Sequence, residues 1–305
     1  VQASCVSNVG VGANNSWRVN VGGQWSLTST AKLDYTLPTV ASFSGAVNMT
    51  TGGSEVVIVT GDNFGAVGGS VVSVVGEYGL GGSGYTSSSC VVTVDHTEMA
   101  CTTVEGVGSG LSWRVSVGGQ RGPVSVGTTS YIGPVITLLS KPVTSSVSVL
   151  AMPTGGGSRV QLTGTNLGPL TGNPITAYYG VSGPAYRYTA VSCVVVTAHV
   201  TIECESVSGV GHDLVWSVKV GGQSSPSSTS VTSYDVPAVS GISGGSGLHT
   251  TGGESITLTG SNFGPLGTNG TDVGVVYGPS DALGRFVATK CNVTVANTQM
   301  KCWSA

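Results

Sequence analysis

The sequence predicts an all-β protein made of antiparallel sandwiches in tandem. Short runs alternate apolar and polar residues, as strands with one buried face do. The alternating apolar positions are Val57 and Val59, Val115 and Val117, Val218 and Val220, and Ile256 and Leu258. Clusters of Gly, Pro, Asn and Ser separate the runs at roughly 8–12 residues, the spacing of an antiparallel sandwich. A block of residues also recurs along the chain, and no stretch has apolar residues at helical spacing between helix caps.

The recurring block contains a cysteine, a tryptophan, a glutamine and a tyrosine, with the same gaps between them in three copies. The copies are Cys5, Trp17, Gln24 and Tyr35; Cys101, Trp113, Gln120 and Tyr131; and Cys204, Trp216, Gln223 and Tyr234. The surrounding sequence recurs as SWRVNVGGQ at 16–24, SWRVSVGGQ at 112–120 and VWSVKVGGQ at 215–223. Gaps matched three times indicate an internal repeat, whose period predicts the domain boundaries.

The repeat divides the chain into two complete and two partial domains. Residues 38–133 (the first repeat) and 134–236 (the second repeat) each contain the whole pattern. Residues 1–37 (the leading segment) match only the C-terminal half of a domain, and residues 237–305 (the third repeat) match only the N-terminal part. Pro38, Pro134 and Pro237 lie at the links, and proline stiffens a joint by fixing φ. We expect a linear and fairly rigid array.

The two partial segments are complementary, which leaves two explanations open. The sequence can be a window on a longer polypeptide of many such domains. Alternatively, residues 1–37 of one subunit complete the open domain of the next, and such a head-to-tail contact would propagate a filament because it does not close. Residues 1–8 align with 298–305 in the repeat register, and this overlap favours the window.

Composition excludes several classes of protein. Only 8% of the 305 residues are charged, against about 25% in typical soluble domains. The net charge is −3 without a basic block, which argues against nucleic-acid binding because phosphates require clustered Lys and Arg. No apolar run approaches the ~18 residues of a membrane span, so no membrane insertion of this segment is expected. Disorder is not expected because 39% of residues are hydrophobic, in Val-rich runs.

Six of the seven cysteines form three equally spaced pairs, which we interpret as disulfides within hairpins. The pairs are Cys90 and Cys101, Cys193 and Cys204, and Cys291 and Cys302. Two-residue turns at Asp95-His96, Ala198-His199 and Ala296-Asn297 would place the partners opposite one another, about 4.5–5.5 Å apart, within the span of a disulfide. Zinc ligation is the weaker interpretation because no histidine recurs in all three copies. Cys5 is left unpaired in this segment.

Four Asn-x-Ser/Thr sequons accompany the cysteines, at Asn14, Asn48, Asn269 and Asn292. Such triplets arise by chance in a chain rich in Ser and Thr, but covalent N-glycans and disulfides both belong to the secretory route. We therefore predict a secreted protein, located outside the cell or at its surface.

Other recurring residues are assigned to the fold. Trp17, Trp113 and Trp216 each begin an alternating run and are predicted to lie in the core, whereas Trp25 and Trp303 do not recur and are expected to be exposed. Asn63, Asn166 and Asn262 share the frame Gly-x-Asn-Phe/Leu-Gly and are predicted to bond a turn backbone. The glycine pairs, including the pair before each recurring Gln, lie where tight turns require a positive φ.

These motifs resemble the IPT/TIG family of immunoglobulin-like domains. The resemblance rests on a proline, a glycine pair, a segment such as ITLTGSNFG at 256–264, two cysteines and a closing VGGQ, and it spans nearly the whole chain. It implies sandwiches of about seven strands in tandem arrays within large extracellular proteins, including receptor ectodomains and algal or protist surface proteins. It implies no catalytic residue. The family's occurrence beside DNA-binding regions does not suit a chain with paired cysteines and few Lys and Arg.

No chemistry-bearing cluster is apparent in the sequence. The histidines are scattered, at His96, His199, His212 and His249, and none lies in a nucleophile frame. No acidic cluster suggests calcium, and the glycine-rich GVGSG at 106–110 lacks the Lys-Ser/Thr of a phosphate loop. We expect no catalytic residue, no metal and no cofactor.

The leading hypothesis is a structural extracellular repeat protein that forms or decorates a surface fibre or filament. Its partners would be copies of itself or further domains of the same chain. The alternative is a receptor or adhesin ectodomain for cell adhesion that binds a protein or glycan ligand. The second repeat has extra residues before its glycine pair, and the segment 141–153 is where such a site is predicted.

Overall fold

The computed structural model describes residues 4–68, 73–141, 150–181, 186–245 and 247–305. Within these ranges the regular structure is β-strand, apart from one short 3₁₀ turn at Gly270–Asp272. No helix in the described part of the chain is long and apolar enough to cross a membrane. The prediction of an all-β protein is confirmed.

The chain divides into two compact units. The first consists of Val1–Gly133 with Gly221–Gln223, and the second of Pro134–Val220 with Ser224–Ala305. The division into four domains at residues 37, 133 and 236 remains a prediction from the repeat.

The leading segment and the first repeat belong to the first unit. The leading segment contains a hairpin of β1 (Asn20–Val21) and β2 (Gln24–Trp25). The strands of the first repeat are β3 (Thr39–Gly45), β4 (Asn48–Met49), β5 (Val56–Asp62), β6 (Val74–Gly79), β7 (Tyr85–Thr86), β8 (Ser89–Val94), β9 (Glu98–Thr102), β10 (Leu111–Val117), β11 (Gln120–Arg121) and β12 (Thr128–Tyr131). One sheet has the order β3-β5-β9-β8, and the other has the order β4-β12-β10-β6-β7, with β11 on β10. This is the arrangement of an immunoglobulin-like sandwich.

The second repeat has the same plan. Its strands are β13 (Val135–Ser140), β14 (Leu150–Met152), β15 (Arg159–Thr165), β16 (Ile175–Gly180), β17 (Tyr188–Thr189), β18 (Val191–Thr197), β19 (Thr201–Glu205), β20 (Val215–Val220), β21 (Gln223–Ser224) and β22 (Thr232–Tyr234). One sheet has the order β13-β15-β19-β18, the other has the order β17-β16-β20-β21, and β14 pairs with β22. The chain therefore contains immunoglobulin-like domains in tandem.

The third repeat has one full sheet and only a fragment of the other. Its strands are β23 (Ala238–Ser243), β24 (Ser255–Ser261), β25 (Val276–Tyr277), β26 (Phe286–Val287), β27 (Thr289–Val295) and β28 (Gln299–Trp303). The order β23-β24-β28-β27 repeats the first sheet of the other two sandwiches. The second sheet is represented by the pair β25-β26.

The core of each complete sandwich is built around a tryptophan and a tyrosine on neighbouring strands. Trp113 of β10 stacks on Tyr78 of β6, with ring centroids 4.5 Å apart, and Trp216 of β20 stacks on Tyr179 of β16 at 4.3 Å. All four side chains are fully buried. The alternating apolar positions of the strands are buried as well, as their period predicts.

Each hairpin of paired cysteines is closed by a disulfide with the Cα atoms 4.1 Å apart. Cys90 and Cys101 are register partners on β8 and β9, and the turn tip lies at Asp95-His96, where Thr97 N donates to Val94 O (3.2 Å). The hairpin departs from the predicted plain two-residue form, because the register of its two strands shifts between Val92 and Val94. In the later hairpins a second shift lies beside the first cysteine.

A second tyrosine is buried beside each stacked pair. The hydroxyl groups of Tyr78 and Tyr131 are 2.9 Å apart, and those of Tyr179 and Tyr234 are 2.8 Å apart. Tyr131 also donates to Val104 O (2.7 Å). Burial raises the pKa of all four phenols above the ordinary value of tyrosine.

We expect the protein to lose stability in alkali because of these four tyrosines. Below the ordinary pKa of about 10 both states hold the phenol protons, so the stabilisation is fully present. Above it the unfolded chain releases protons that the folded chain retains, and the free energy of unfolding falls as the pH rises. Denaturant unfolding followed from about pH 9 to about pH 11 should show this decline. Phenolate absorbance from all 10 tyrosines, rising near the ordinary pKa in a protein that stays folded, would contradict the prediction.

Candidate functional site

The histidines singled out in the sequence lie apart from one another. In the described ranges no group of three or more His, Cys, Asp and Glu side chains is placed to hold a metal ion. His96 and His199 lie at hairpin tips with left-handed φ values of 63° and 64°. Their backbones bond the neighbouring Asn-containing turn, since His96 N donates to Gly65 O and His199 N donates to Gly168 O, each at 2.7 Å. These two histidines therefore serve turn geometry.

The sequons and Cys5 lie mainly at the surface. Asn14, Asn48 and Asn269 are exposed, whereas Asn292 is half-buried on β27. Cys5 is exposed and has no disulfide partner in the described part of the chain. Glycosylation at the four asparagines stays a prediction.

The inserted segment 141–153 is only partly described. Residues 142–149 lie outside the described residues, so the predicted ligand site there stays a prediction. Residues 150–152 form β14, which runs parallel to β22 as β4 runs parallel to β12. Met152 at its end is fully buried. The end of the insertion therefore belongs to the sandwich.

The feature that the structure repeats most faithfully is the joint between successive segments. In the first unit Gln120 Nε2 donates to Tyr35 O (2.8 Å), and Asn63 Nδ2 donates to Leu37 O (3.1 Å). Both carbonyls belong to the link before Pro38. Two amide side chains of the first repeat thus hold the end of the leading segment.

A valine completes this joint by packing against two glycine turns. A Cβ atom on Gly118 would lie 2.9 Å from Val11 Cγ2, and one on Gly65 would lie 3.0 Å from Val11 Cγ1. Both turns therefore depend on the absence of a side chain to admit the valine. Gly118 and Gly119 have φ values of 56° and 80°, as a tight hairpin turn with two left-handed residues requires. Gly118, the first glycine of the pair before Gln120, thus has a second role, in the joint.

The same contacts recur around Gly221–Gln223, which belongs to the first unit. Gln223 Nε2 donates to Tyr131 O (2.9 Å), and a Cβ atom on Gly221 would lie 2.5 Å from Val107 Cγ2. The amide-to-carbonyl bond and the valine-on-glycine contact are therefore features of the repeat.

The joint within the second unit uses the same parts and adds charge. Asn262 Nδ2 donates to Val236 O (3.0 Å), and Val210 packs directly on Gly264. Arg187 forms a two-pronged ion pair with Asp272, at 2.5 and 2.6 Å. The guanidinium of Arg187 holds the pKa of the Asp272 carboxyl below its ordinary value.

Sequence reasoning misassigned or missed several of these residues. Asn63 and Asn262 were predicted to bond a turn backbone, but their side chains bond the carbonyl of the link before each repeat. Val11, Val107 and Val210 were not singled out. Their signal was present, because each is the centre of a Gly-Val-Gly triplet at the same position in its copy.

The third repeat presents an open sheet edge beside an apolar groove. In the other sandwiches β6 pairs with β10 over Val74–Gly79, and β16 pairs with β20 over Ile175–Gly180. Residues 273–278 align with these strands, yet β25 pairs with β26 alone in the part of the chain described. The groove has a volume of about 660 Å³. It is lined by Leu258, Phe263, Val273, Val275 and Met300 of the third repeat and also by Val210, His212 and Tyr234 of the second repeat.

The leading segment contains a formed hairpin, β1-β2, whose apolar side chains are exposed in the described residues. Trp17, Val19 and Val21 are 43%, 55% and 72% exposed, whereas their counterparts in the first and second repeats are at most 1% exposed. Trp17 N donates to Ser29 Oγ (2.8 Å), as Trp113 N donates to Ser125 Oγ. The predicted core position of Trp17 is not seen in this structure, because no sheet of the described residues covers it. Trp25 is exposed as expected, and Trp303 is half-buried.

Comparisons with known proteins give a distant structural likeness. No protein-family model and no curated protein matches the chain. The full extracellular region of plexin A4 is 13% identical over 90% of this chain and 32% of its own, with a TM-score of 0.25. The Escherichia coli adhesin FdeC is 13% identical over 87% of this chain and 90% of its own, with a TM-score of 0.25. Invasin, a bacterial integrin-binding protein, is 14% identical over 88% of this chain and 54% of its own, with a TM-score of 0.28. Likeness this distant carries no argument about function, and the fold assignment rests on the strand order above.

Proposed function

We propose that this chain is a structural extracellular repeat protein whose immunoglobulin-like domains continue head to tail to form or decorate a surface fibre. The observation that carries the proposal is the joint. The same glutamine, valine and glycine contacts recur in the first unit, and the second unit repeats the asparagine and valine contacts. Joints made alike from one repeat to the next are what a regular linear array requires.

Disulfides and sequons support the extracellular location. Each disulfide closes a separation of 11 residues in a hairpin. Such bonds persist in oxidising compartments and are rare where cytosolic reductants act. Glycans on the exposed Asn14, Asn48 and Asn269 would add polar cover to a chain in which only 8% of residues are charged.

The proposal includes the finer assignments made from the sequence. The domains are of the IPT/TIG type, with boundaries at 1–37, 38–133, 134–236 and 237–305. The role is non-enzymatic, without a catalytic residue, a metal or a cofactor. The partners are copies of the chain or further domains of the same polypeptide.

A groove on the second repeat favours a second candidate function, recognition of a glycan by an adhesin or receptor ectodomain. The rings of Tyr178 and Tyr186 stack with their centroids 6.3 Å apart. Together with Ser217, Ser225 and Ser227 they line an open groove of about 540 Å³. Aromatic faces with nearby hydroxyl groups suit the apolar faces and hydroxyls of sugars. On the first repeat, an ion pair of Glu77 with Arg121 stands in the place of Tyr178 and Ser224.

Replacement of Tyr186 by alanine tests the second candidate. If the groove binds a glycan, we expect Tyr186→Ala to lower affinity for a glycan array hit by at least about tenfold, because the stacking face and the hydroxyl are lost. Leu170→Ala is the matched control, since Leu170 is an exposed apolar residue of the same repeat outside the groove. Equal affinity of both variants would refute the groove as a glycan site.

Labelling of native material tests the proposed fibre. Antibodies raised against the chain should label elongated structures outside the cell in electron micrographs of source material. The expectation follows from joints that continue in one direction. Labelling confined to the cell interior, or to isolated globular particles, would contradict the proposal.

A single alanine tests whether the joints are stiff. Gly264→Ala should loosen the joint in the second unit, because its Cβ atom would collide with Val210 and because Gly264 has a φ of 91°. Gly267→Ala is the matched control, since Gly267 has a φ of 83° but nothing within 4 Å of an added Cβ atom. We expect faster proteolysis of the link around Pro237 in Gly264→Ala than in the control. Equal rates would show that the contact with Val210 does not hold the joint.

A further inference from the structure

We propose that the outer face of one sheet of the first repeat binds an acidic polysaccharide through two arginines. This arginine face consists of Ser112, Arg114 and Ser116 on β10, Glu77 on β6 and Arg121 on β11. The inference goes beyond the proposed fibre and does not depend on it, because all five residues belong to the complete first repeat. It extends glycan recognition, the second candidate function, to another repeat and to a charged class of sugar.

Strand pairing brings these five side chains together. Buried and half-buried residues alternate along β10, so Ser112, Arg114 and Ser116 share the face that points away from the core. Arg114 is the register partner of Glu77, and Ser116 is the register partner of Arg121. Opposed residues of an antiparallel pair lie on the same side of the sheet. The arginine face is therefore one continuous surface.

The charges of the first repeat are segregated. Residues 38–133 contain two residues of the Lys or Arg type, and both lie on the arginine face. Glu77 is the one carboxylate on that face. The others belong to the opposite sheet or to loops, and they are Glu55, Asp62, Asp95, Glu98 and Glu105. The face is therefore positive on a repeat that is negative elsewhere, which concentrates attraction for an anion there.

Arg114 lacks a counter-ion. The carboxylate opposite it is taken by Arg121, whose Nη2 and Nε lie 2.6 Å and 2.9 Å from Glu77 Oε2. In the described part of the chain the Nε of Arg114 is buried without a hydrogen-bond acceptor. The equivalent Arg18 of the leading segment, by contrast, donates its Nε to Ser26 O (3.0 Å). A guanidinium that has lost part of its water and has no counter-ion gains strongly from a bound anion.

A glycine loop and a valine hold the stem of Arg114 in place. A Cβ atom on Gly82 would lie 3.5 Å from Arg114 Cβ and 3.3 Å from both Cγ atoms of Val124. Gly82 has a φ of 76°, and its lack of a side chain lets the loop lie close over β10. The arginine is therefore positioned before a ligand arrives, which lowers the entropic cost of binding.

The same surface differs in chemistry between the two complete repeats, although the core beneath it does not. The register pair of Glu77 with Arg114 is replaced by Tyr178 with Ser217 in the second repeat. In both repeats a tryptophan stacks on a tyrosine in the core below. The fold therefore does not dictate these outer residues, and they are available for binding.

The chemistry of the arginine face favours a polysaccharide over a second copy of the chain. Donors within the repeat already bond Glu55 Oε2, Asp95 Oδ1 and Glu98 Oε1, so these carboxylates of a second copy are engaged. An acidic polysaccharide brings carboxylates or sulfate esters, and the planar fork of arginine suits such anions. The hydroxyls of Ser112 and Ser116 are placed to bond sugar hydroxyls.

Binding of soluble polysaccharides to the full chain tests the arginine face. The probes are heparin, which is rich in sulfate esters, polygalacturonate, which carries carboxylates, and dextran, which is uncharged. We expect an acidic probe to bind, with an affinity that falls as salt is raised from about 0.05 M to about 0.5 M. The tighter of the two acidic probes identifies the anionic group. Any binding of dextran should be independent of Arg114.

Two variants should change the affinity in opposite directions. Arg114→Gln should lower it at least about tenfold, because a charge-assisted contact is lost. Glu77→Gln should raise it about threefold, because the competing carboxylate is removed, and this gives a second measurement if Arg114→Gln does not fold. A purely structural role of the ion pair with Arg121 would not raise the affinity. Arg159→Gln is the matched control, since it changes the net charge equally and Arg159 is paired with Glu203.

Three outcomes would overturn the inference. The first is that neither acidic polysaccharide binds at about 0.05 M salt. The second is that Arg114→Gln and Arg159→Gln lower the affinity equally, which would indicate general attraction to cationic side chains. The third is that polyglutamate binds more tightly than both polysaccharides, which would make the occupant an acidic protein. Antibody labelling inside the cell, or unchanged glycan binding by Tyr186→Ala, would instead refute the fibre or the groove alone.

Discussion

One sheet of a sandwich cannot hide its own apolar face, and this constraint governs the whole chain. In the complete repeats the strand that carries Trp113 or Trp216 supplies the missing cover. The tryptophan ring stacks on a tyrosine of its own sheet, and Trp113 also contacts Phe43 of the opposite sheet at 5.7 Å. Where that strand is missing, as in the described third repeat, a groove remains. Where the strand stands without its sheet, as around Trp17, the apolar side chains face solvent.

The sequence predicted most of the fold because the information is local. Alternation along a strand reports which face is buried, glycine pairs report turns with positive φ, and equal cysteine spacing reports hairpins. The contacts at the joints were harder to predict from the sequence. Asn63 and Asn262 sit in turns that they could have bonded themselves, yet they bond carbonyls that precede them by 26 residues. A local pattern does not distinguish those two partners.

The valine of each Gly-Val-Gly triplet also makes a contact that the local sequence does not predict. The triplet at 106–108 resembles a weak glycine-rich motif, and the residues beside it in the sequence do not indicate that its valine makes a distant contact. Its role depends on Gly221, a residue far along the chain whose lack of a side chain makes room for Val107. Comparison of the three copies with each other carries that signal, since the valine and the receiving glycine recur together.

The scarcity of charge has a consequence for the surroundings in which such a protein works. The joint at Pro38 is made of amide-to-carbonyl hydrogen bonds and contacts of valine with glycine, and none of these carries a net charge. Dissolved salt weakens the attraction between exposed ions but has little effect on uncharged contacts of this kind. Of the contacts described at the joints, only the ion pair of Arg187 with Asp272 is open to screening. Joints held this way would keep their form in fresh water and in brine alike.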